Sequence, residues 1–235
     1  MDISGSMLAE DLKPNRLEAS KDVAIDFIAN RPNDRIGLVT FSGESFTQSP
    51  LTTDHSVLKN LFKDVKHGMI EDGTAIGLGL ATAVSRLKES DAKSKVVILL
   101  TDGFNTSGSI PPLTAAEIAR EFGVRTYTIG LGTNGMAPMP YKNGFGGTSY
   151  QNVEVKIDEK TMKEISQMTG GKYFRATNNR SLAAIYKEID QLEKSKIEVT
   201  EYRKKKEEFF PFALIAGILI AFQFILANTL LKTIN

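Results

Sequence analysis

Residues 96–103 read Val96-Val97-Ile98-Leu99-Leu100-Thr101-Asp102-Gly103. An unbroken apolar run rich in β-branched residues, with no polar alternation, is what a strand buried on both faces requires, as at the centre of a parallel sheet covered by helices. The run ends in a carboxylate and a glycine, so Asp102 is delivered to the carboxyl end of that strand, where open α/β sheets place their ligand sites. Strand and helix signals alternate on either side of it. Leu17, Val23, Ala24, Phe27 and Ile28 give helical spacing over 16–29. Residues 36–41 read as a strand, and 46–49 as a short antiparallel edge partner turned at Gly43-Glu44. Asp54 is placed to cap a helix through Val65, and Thr74 to begin another that runs to about Leu87. Helices over 114–122, 158–168 and 181–194 and strands over 124–131 and 171–175 complete an alternation that predicts an α/β fold, a Rossmann-like and mostly parallel sheet flanked by helices.

The chain opens on Asp2-Ile3-Ser4-Gly5-Ser6. A D-x-S-x-S turn aims one carboxylate and two hydroxyls at one point. Hard oxygens without His or Cys suit an octahedral dication such as Mg²⁺ or Mn²⁺. With Asp102 added, at least one coordination position stays open for a carboxylate from a protein partner, which points to adhesion and away from chemistry. A buried strand is expected before such a loop, and only Met1 precedes Asp2; the first strand is therefore expected to be missing.

A net charge of +1 and the lack of a basic stripe interleaved with aromatics give no footing for nucleic acid. The absence of cysteine excludes disulfides and thiolate metal sites. His55 and His67 belong to no motif, no P-loop pattern occurs, and Gly77 and Gly79 read as helix-packing positions. Residues 132–152, rich in Gly, Pro and Asn, read as one long loop, and 197–202 as a β-prone stub. Residues 209–231 form an uncharged apolar run long enough to cross about 30 Å of hydrocarbon. Arg203-Lys204-Lys205-Lys206 ahead of that run favours a cytoplasmic soluble domain. The expected division is a domain over 1–194, a charged linker over 195–208 and a transmembrane helix over 209–231.

The order D-x-S-G-S, then Asp72-Gly73-Thr74 before a helix, then an apolar strand ending in Thr101-Asp102-Gly103, resembles the von Willebrand factor A domain with its metal-ion-dependent adhesion site. The resemblance implies metal ligands at Asp2, Ser4, Ser6, Thr74 and Asp102, with Mg²⁺ or Mn²⁺ as the ion. Residues 8–19, Asp34-Arg35-Ile36-Gly37-Leu38-Val39, Phe41-Ser42-Gly43-Glu44, residues 71–77 and Gly170-Gly171-Lys172-Tyr173-Phe174 further resemble the bacterial aerotolerance (Bat-type) membrane proteins, in particular the BatA group. That likeness implies a bacterial inner-membrane protein associated with other Bat-type proteins and with MoxR-type AAA+ ATPases. The expected function is a membrane-anchored, metal-dependent protein-binding module and not an enzyme. A structural membrane subunit with an idle metal loop is the alternative; a phosphoryl-transfer enzyme is disfavoured because Ser4 stands where that chemistry needs a second aspartate. Glu44, Glu71 and Asp72 are expected in loops on the same face as the metal.

Overall fold

The computed structural model describes the backbone of residues 1–133, 135–142, 147–204 and 209–229. One compact unit spans Met1–Leu192, and Glu193–Asn235 forms a second. In chain order the first unit holds a 3-10 turn (Gly5–Leu8), α1 (Arg16–Ala29), β1 (Ile36–Phe41), β2 (Ser45–Thr52), α2 (His55–Asp64), α3 (Ile76–Leu87), β3 (Lys95–Thr101), α4 (Pro112–Glu121), β4 (Val124–Leu131), β5 (Gly135–Lys142), β6 (Thr148–Val155), α5 (Glu159–Met168) and β7 (Tyr173–Ala176). Helix α6 (Asn179–Lys204) starts in this unit, and α7 (Phe209–Thr229) lies in the second.

The apolar run of residues 96–100 is the core of β3, which pairs in parallel with β4, and β4 in turn with β7. β1 and β2 form an antiparallel pair in register Phe41 to Ser45, the edge partner anticipated after Gly43-Glu44. Between β1 and β3 runs the extended segment Met1–Ile3. Asp2 N–H donates to Leu100 O at 3.0 Å and Ile3 N–H to Phe41 O at 2.8 Å, with a parallel bridge between Asp2 and Phe41. Where a first strand was expected to be absent, three residues therefore link the two sheets at the end that carries Asp102.

Side chains alternate across β3 and fill two cores. Leu100, Val96 and Ile98 meet Leu17, Ile28, Leu58, Phe62, Leu182 and Ile189 from α1, α2 and α6. Val97 and Leu99 meet Ile76, Leu80 and Val84 of α3, Ala115 and Ala119 of α4 and Ile165 of α5. Helices thus cover both faces, as the unalternated sequence of β3 demands. Gly77 and Gly79 let α3 come close. A Cβ on Gly77 would meet Ile110 O at 2.0 Å, and one on Gly79 would meet the Phe41 ring at 2.6 Å.

Three readings of the sequence are corrected. Residues 132–152 are not one loop: β5 and β6 form an antiparallel hairpin in register Gly135 to Val155 through Lys142 to Thr148. Two prolines hid it, since proline argues against a strand. Pro138 and Pro140 lie two apart and turn their nitrogens away from β6, and the outward Pro138 carbonyl accepts Glu10 N–H at 3.0 Å. Residues 197–202 are helical backbone within α6, because a helix already stabilised by packing continues through residues of β propensity. Helix α3 begins at Ile76 with Ala75 at its cap, so Thr74 precedes the helix.

The anticipated span falls partly outside the described residues. Helix backbone covers Phe209–Thr229, and the side chains described over 211–223 are exposed, among them Phe212, Ile215, Leu219 and Phe222. Among the described residues no helix is long and apolar enough to cross a membrane, so the predicted transmembrane helix finds no support there.

Candidate metal centre

Asp2 is carried into the sheet by the backbone pairing of Met1–Ile3 and is fully buried. Its Oδ1 accepts the Ser4 N–H at 2.9 Å and its Oδ2 the Thr101 hydroxyl at 2.6 Å. The chain then turns at Gly5–Leu8, which brings Ser4 Oγ and Ser6 Oγ to 3.0 Å from each other. Ser6 Oγ donates to Asp102 Oδ1 at 2.7 Å. Asp2, Ser4, Ser6 and Asp102, spread over 100 residues of sequence, are thus linked in one hydrogen-bonded chain, through the Ser4 N–H at Asp2 and through hydroxyls from Ser4 to Ser6 to Asp102.

Thr74 lies in the loop before α3, near Gly103, the residue after Asp102. Its N–H donates to Thr106 Oγ1 at 3.1 Å, and its carbonyl accepts the N–H groups of Thr106 and Ser107. Its Oγ1 lies 3.9 Å from where a side chain on Gly103 would start. Among the described residues no cluster of three or more His, Cys, Asp or Glu side chains exists, so any cation held here is held largely by hydroxyls. That donor set, hard and oxygen-only, suits Mg²⁺ or Mn²⁺ and disfavours softer ions.

Electrostatics point the same way. Burial first, and the Asp102 charge second, push the Asp2 carboxyl up to about 7. Burial also raises Asp102, against the nearby Arg16 charge and the Ser6 hydrogen bond. Two carboxylates taken out of water beside each other are strained in the ionised form, and a dication relieves that strain.

Two contributors, Arg16 and Asp11, were not foreseen. Arg16, fully buried at the start of α1, donates to Asp102 Oδ2 at 2.6 Å and forks onto Asp11 Oδ1 and Oδ2 at 2.7 and 2.6 Å. Asp11 also accepts Thr133 N–H at 3.0 Å, next to the start of β5. Burial raises Asp11, but the Arg16 hydrogen bond and charge and the Thr133 N–H outweigh it and hold it below the ordinary carboxylate range. A cation in the first turn of a helix opposes the helix dipole, and that misplaced charge was the one sequence signal for Arg16. Asp72, expected in a loop on the same face as the metal, accepts Gly5 N–H at 2.9 Å and so braces the first loop from outside. His67, read as a surface residue, is exposed, and its Nδ1 lies 3.2 Å from Ile3 O.

Comparison with known proteins agrees with this frame. Residues 1–188 match the family model of the von Willebrand factor type A domain. An uncharacterised protein of Borreliella burgdorferi is 30% identical over the whole chain, which spans 69% of that relative, and a UPF0353 protein of Nocardia farcinica is 28% identical over 81% of the chain, which spans 61% of it. Among solved structures, the conserved hypothetical protein BatB of Bacteroides thetaiotaomicron is 31% identical with a TM-score of 0.71, over 82% of this chain and 96% of that one. An aerotolerance-related membrane protein of Bacteroides fragilis is 28% identical with a TM-score of 0.68, over 81% of this chain and 94% of that one.

Proposed function

We propose, from the premise that the chain belongs to the von Willebrand factor type A domain family and is similar to Bat-type aerotolerance-related proteins, that it is a divalent-metal-dependent protein-binding module. Ser4 and Ser6 hold the ion by their hydroxyls, with Thr74 beside them, and Asp2 and Asp102 supply the compensating charge. The observation that carries this reading is the hydrogen-bonded chain Asp2–Ser4–Ser6–Asp102, which brings two hydroxyls together with two buried carboxylates. A dication there keeps an open position toward solvent, and an Asp or Glu side chain of a protein partner completes it. The function is recognition, with Mg²⁺ as the working ion and Mn²⁺ as its substitute.

The uncharged apolar run of residues 209–231 in the sequence supports anchorage in a bacterial inner membrane, and the basic residues 203–206 favour a cytoplasmic site for the binding domain. Other Bat-type membrane proteins and a MoxR-type ATPase are the partners this placement favours.

The test is a thermal melt of the chain in detergent with EDTA, with Mg²⁺ and with Mn²⁺. A ligand that binds only the folded state stabilises it by mass action, about 2.7 kcal/mol when present at roughly a hundred times its Kd. Unchanged midpoints with both ions at millimolar concentration would overturn the proposal.

A further inference from the structure

The metal loops alone carry two buried carboxylates, Asp2 and Asp102, and no cation of their own. Arg16, from α1, reaches Asp102 Oδ2 at 2.6 Å, with both side chains closed off from solvent. The side chain has little room to leave: a Cβ on Gly132 would meet its guanidinium nitrogen at 2.3 Å. Its other edge is held by Asp11, whose carboxylate is itself fixed by Thr133 N–H. Ser6 occupies Oδ1 of Asp102, so Arg16 occupies the oxygen that faces away from the hydroxyls.

We propose that Arg16 is a positioning residue that trims the charge of the metal site: it cancels the Asp102 carboxylate and withholds its Oδ2 from the ion. This rests on the metal-binding reading above. With Arg16 in place, Asp2, Asp102, Asp11 and Arg16 together carry two net negative charges in place of three, and the carboxylate beside the hydroxyls, Asp102, is the one that is paired. The bound ion is therefore neutralised less fully than it would be without Arg16, and that difference favours an external carboxylate. Without Arg16 the site would satisfy the ion internally and hold it tightly, with less pull left for a partner. Asp11 tunes the effect, because it takes up part of the Arg16 charge at the loop beside β5.

The sign of two substitutions separates this role from a purely structural one. Arg16→Gln removes the charge and keeps a single amide donor in the space between Asp102 and Asp11. Asp11→Asn keeps the shape of an acceptor and leaves more of the Arg16 charge directed at Asp102. Mn²⁺ binding by the full chain in detergent, followed by calorimetric titration at pH 8.5, should become about tenfold tighter in Arg16→Gln, as removal of a repulsive charge near the ion requires. It should become about threefold weaker in Asp11→Asn and stay near the parent value in Arg16→Lys. If Arg16 only propped up the loop, Arg16→Gln and Asp11→Asn would both weaken binding; that result, or unchanged affinity in both, overturns the inference while leaving the metal site standing. If the unsubstituted chain shows no saturable Mn²⁺ binding, the metal reading itself falls.

Discussion

The Thr101 hydroxyl donates to Asp2 Oδ2 at 2.6 Å, so the last residue of β3 holds the carboxylate of a loop that lies 99 positions earlier in the chain. Both residues are fully buried. Thr101→Val preserves shape and removes the donor, which leaves one oxygen of a buried carboxylate unsatisfied. The expected loss is about 1–3 kcal/mol in urea unfolding with EDTA present, and added Mn²⁺ should recover part of it. A variant as stable as the parent would show that the bond contributes nothing.

Thr74 makes its ties to residues 106 and 107 through its backbone. Thr74→Ala should therefore cost less than about 1 kcal/mol in stability yet weaken Mn²⁺ binding measurably. Calorimetric titration decides: parental affinity in Thr74→Ala removes this residue from the ligand set.

Asp2→Asn and Asp102→Asn address the charges directly. Each should remove most of the upward melt shift produced by Mn²⁺. Asp102→Asn should also destabilise the metal-free chain, because it leaves the Arg16 guanidinium buried with a weaker partner, and breaking a buried pair costs about 3–5 kcal/mol. A full Mn²⁺ shift in both variants would place the ion elsewhere.

The Asp2 carboxyl, pushed from 3.8 up to about 7, makes stability depend on pH in a definite direction. Between those values the folded chain holds a proton that the unfolded chain has released. Metal-free stability must then fall as pH rises from about 4 to 7, with a slope of up to about 1.4 kcal/mol per pH unit. Asp102 is raised as well and adds the same sign. Mn²⁺ displaces the proton, so its stabilising effect should grow across the same window. Urea midpoints at pH 5, 6 and 7, with EDTA and with Mn²⁺, check both halves; metal-free stability that rises toward pH 7 contradicts the assignment.

Gly77 sits where α3 meets the segment after β3, with Ile110 O at 2.0 Å from a would-be Cβ and Asn105 Oδ1 accepting its N–H at 3.3 Å. Gly77→Ala should push α3 and the Thr74 loop off residues 105–111 at a cost of about 1–3 kcal/mol, and weaken Mn²⁺ binding with it. A variant that keeps parental stability and affinity would show that this contact yields without consequence.

The layered α/β frame and the D-x-S-x-S and T-D-G turns were legible from the amino-acid order alone. An apolar run such as 96–100 can satisfy its side chains only between two layers of helices, and the turn chemistry of D-x-S-x-S and T-D-G acts within a few residues. Local periodicity and local hydrogen bonding are written in neighbouring positions, so they can be read there. The β5–β6 hairpin was not legible, because Pro138 and Pro140 read as strand breakers until the free edge they occupy is known. Arg16 was hidden for a deeper reason. A charged residue opening a helix is ordinarily solvated, and its burial follows from where Asp11, Asp102 and Gly132 arrive. That burial is set by the assembled fold, because the Coulomb and desolvation energies of an ion pair depend on distance through space and not on separation along the chain.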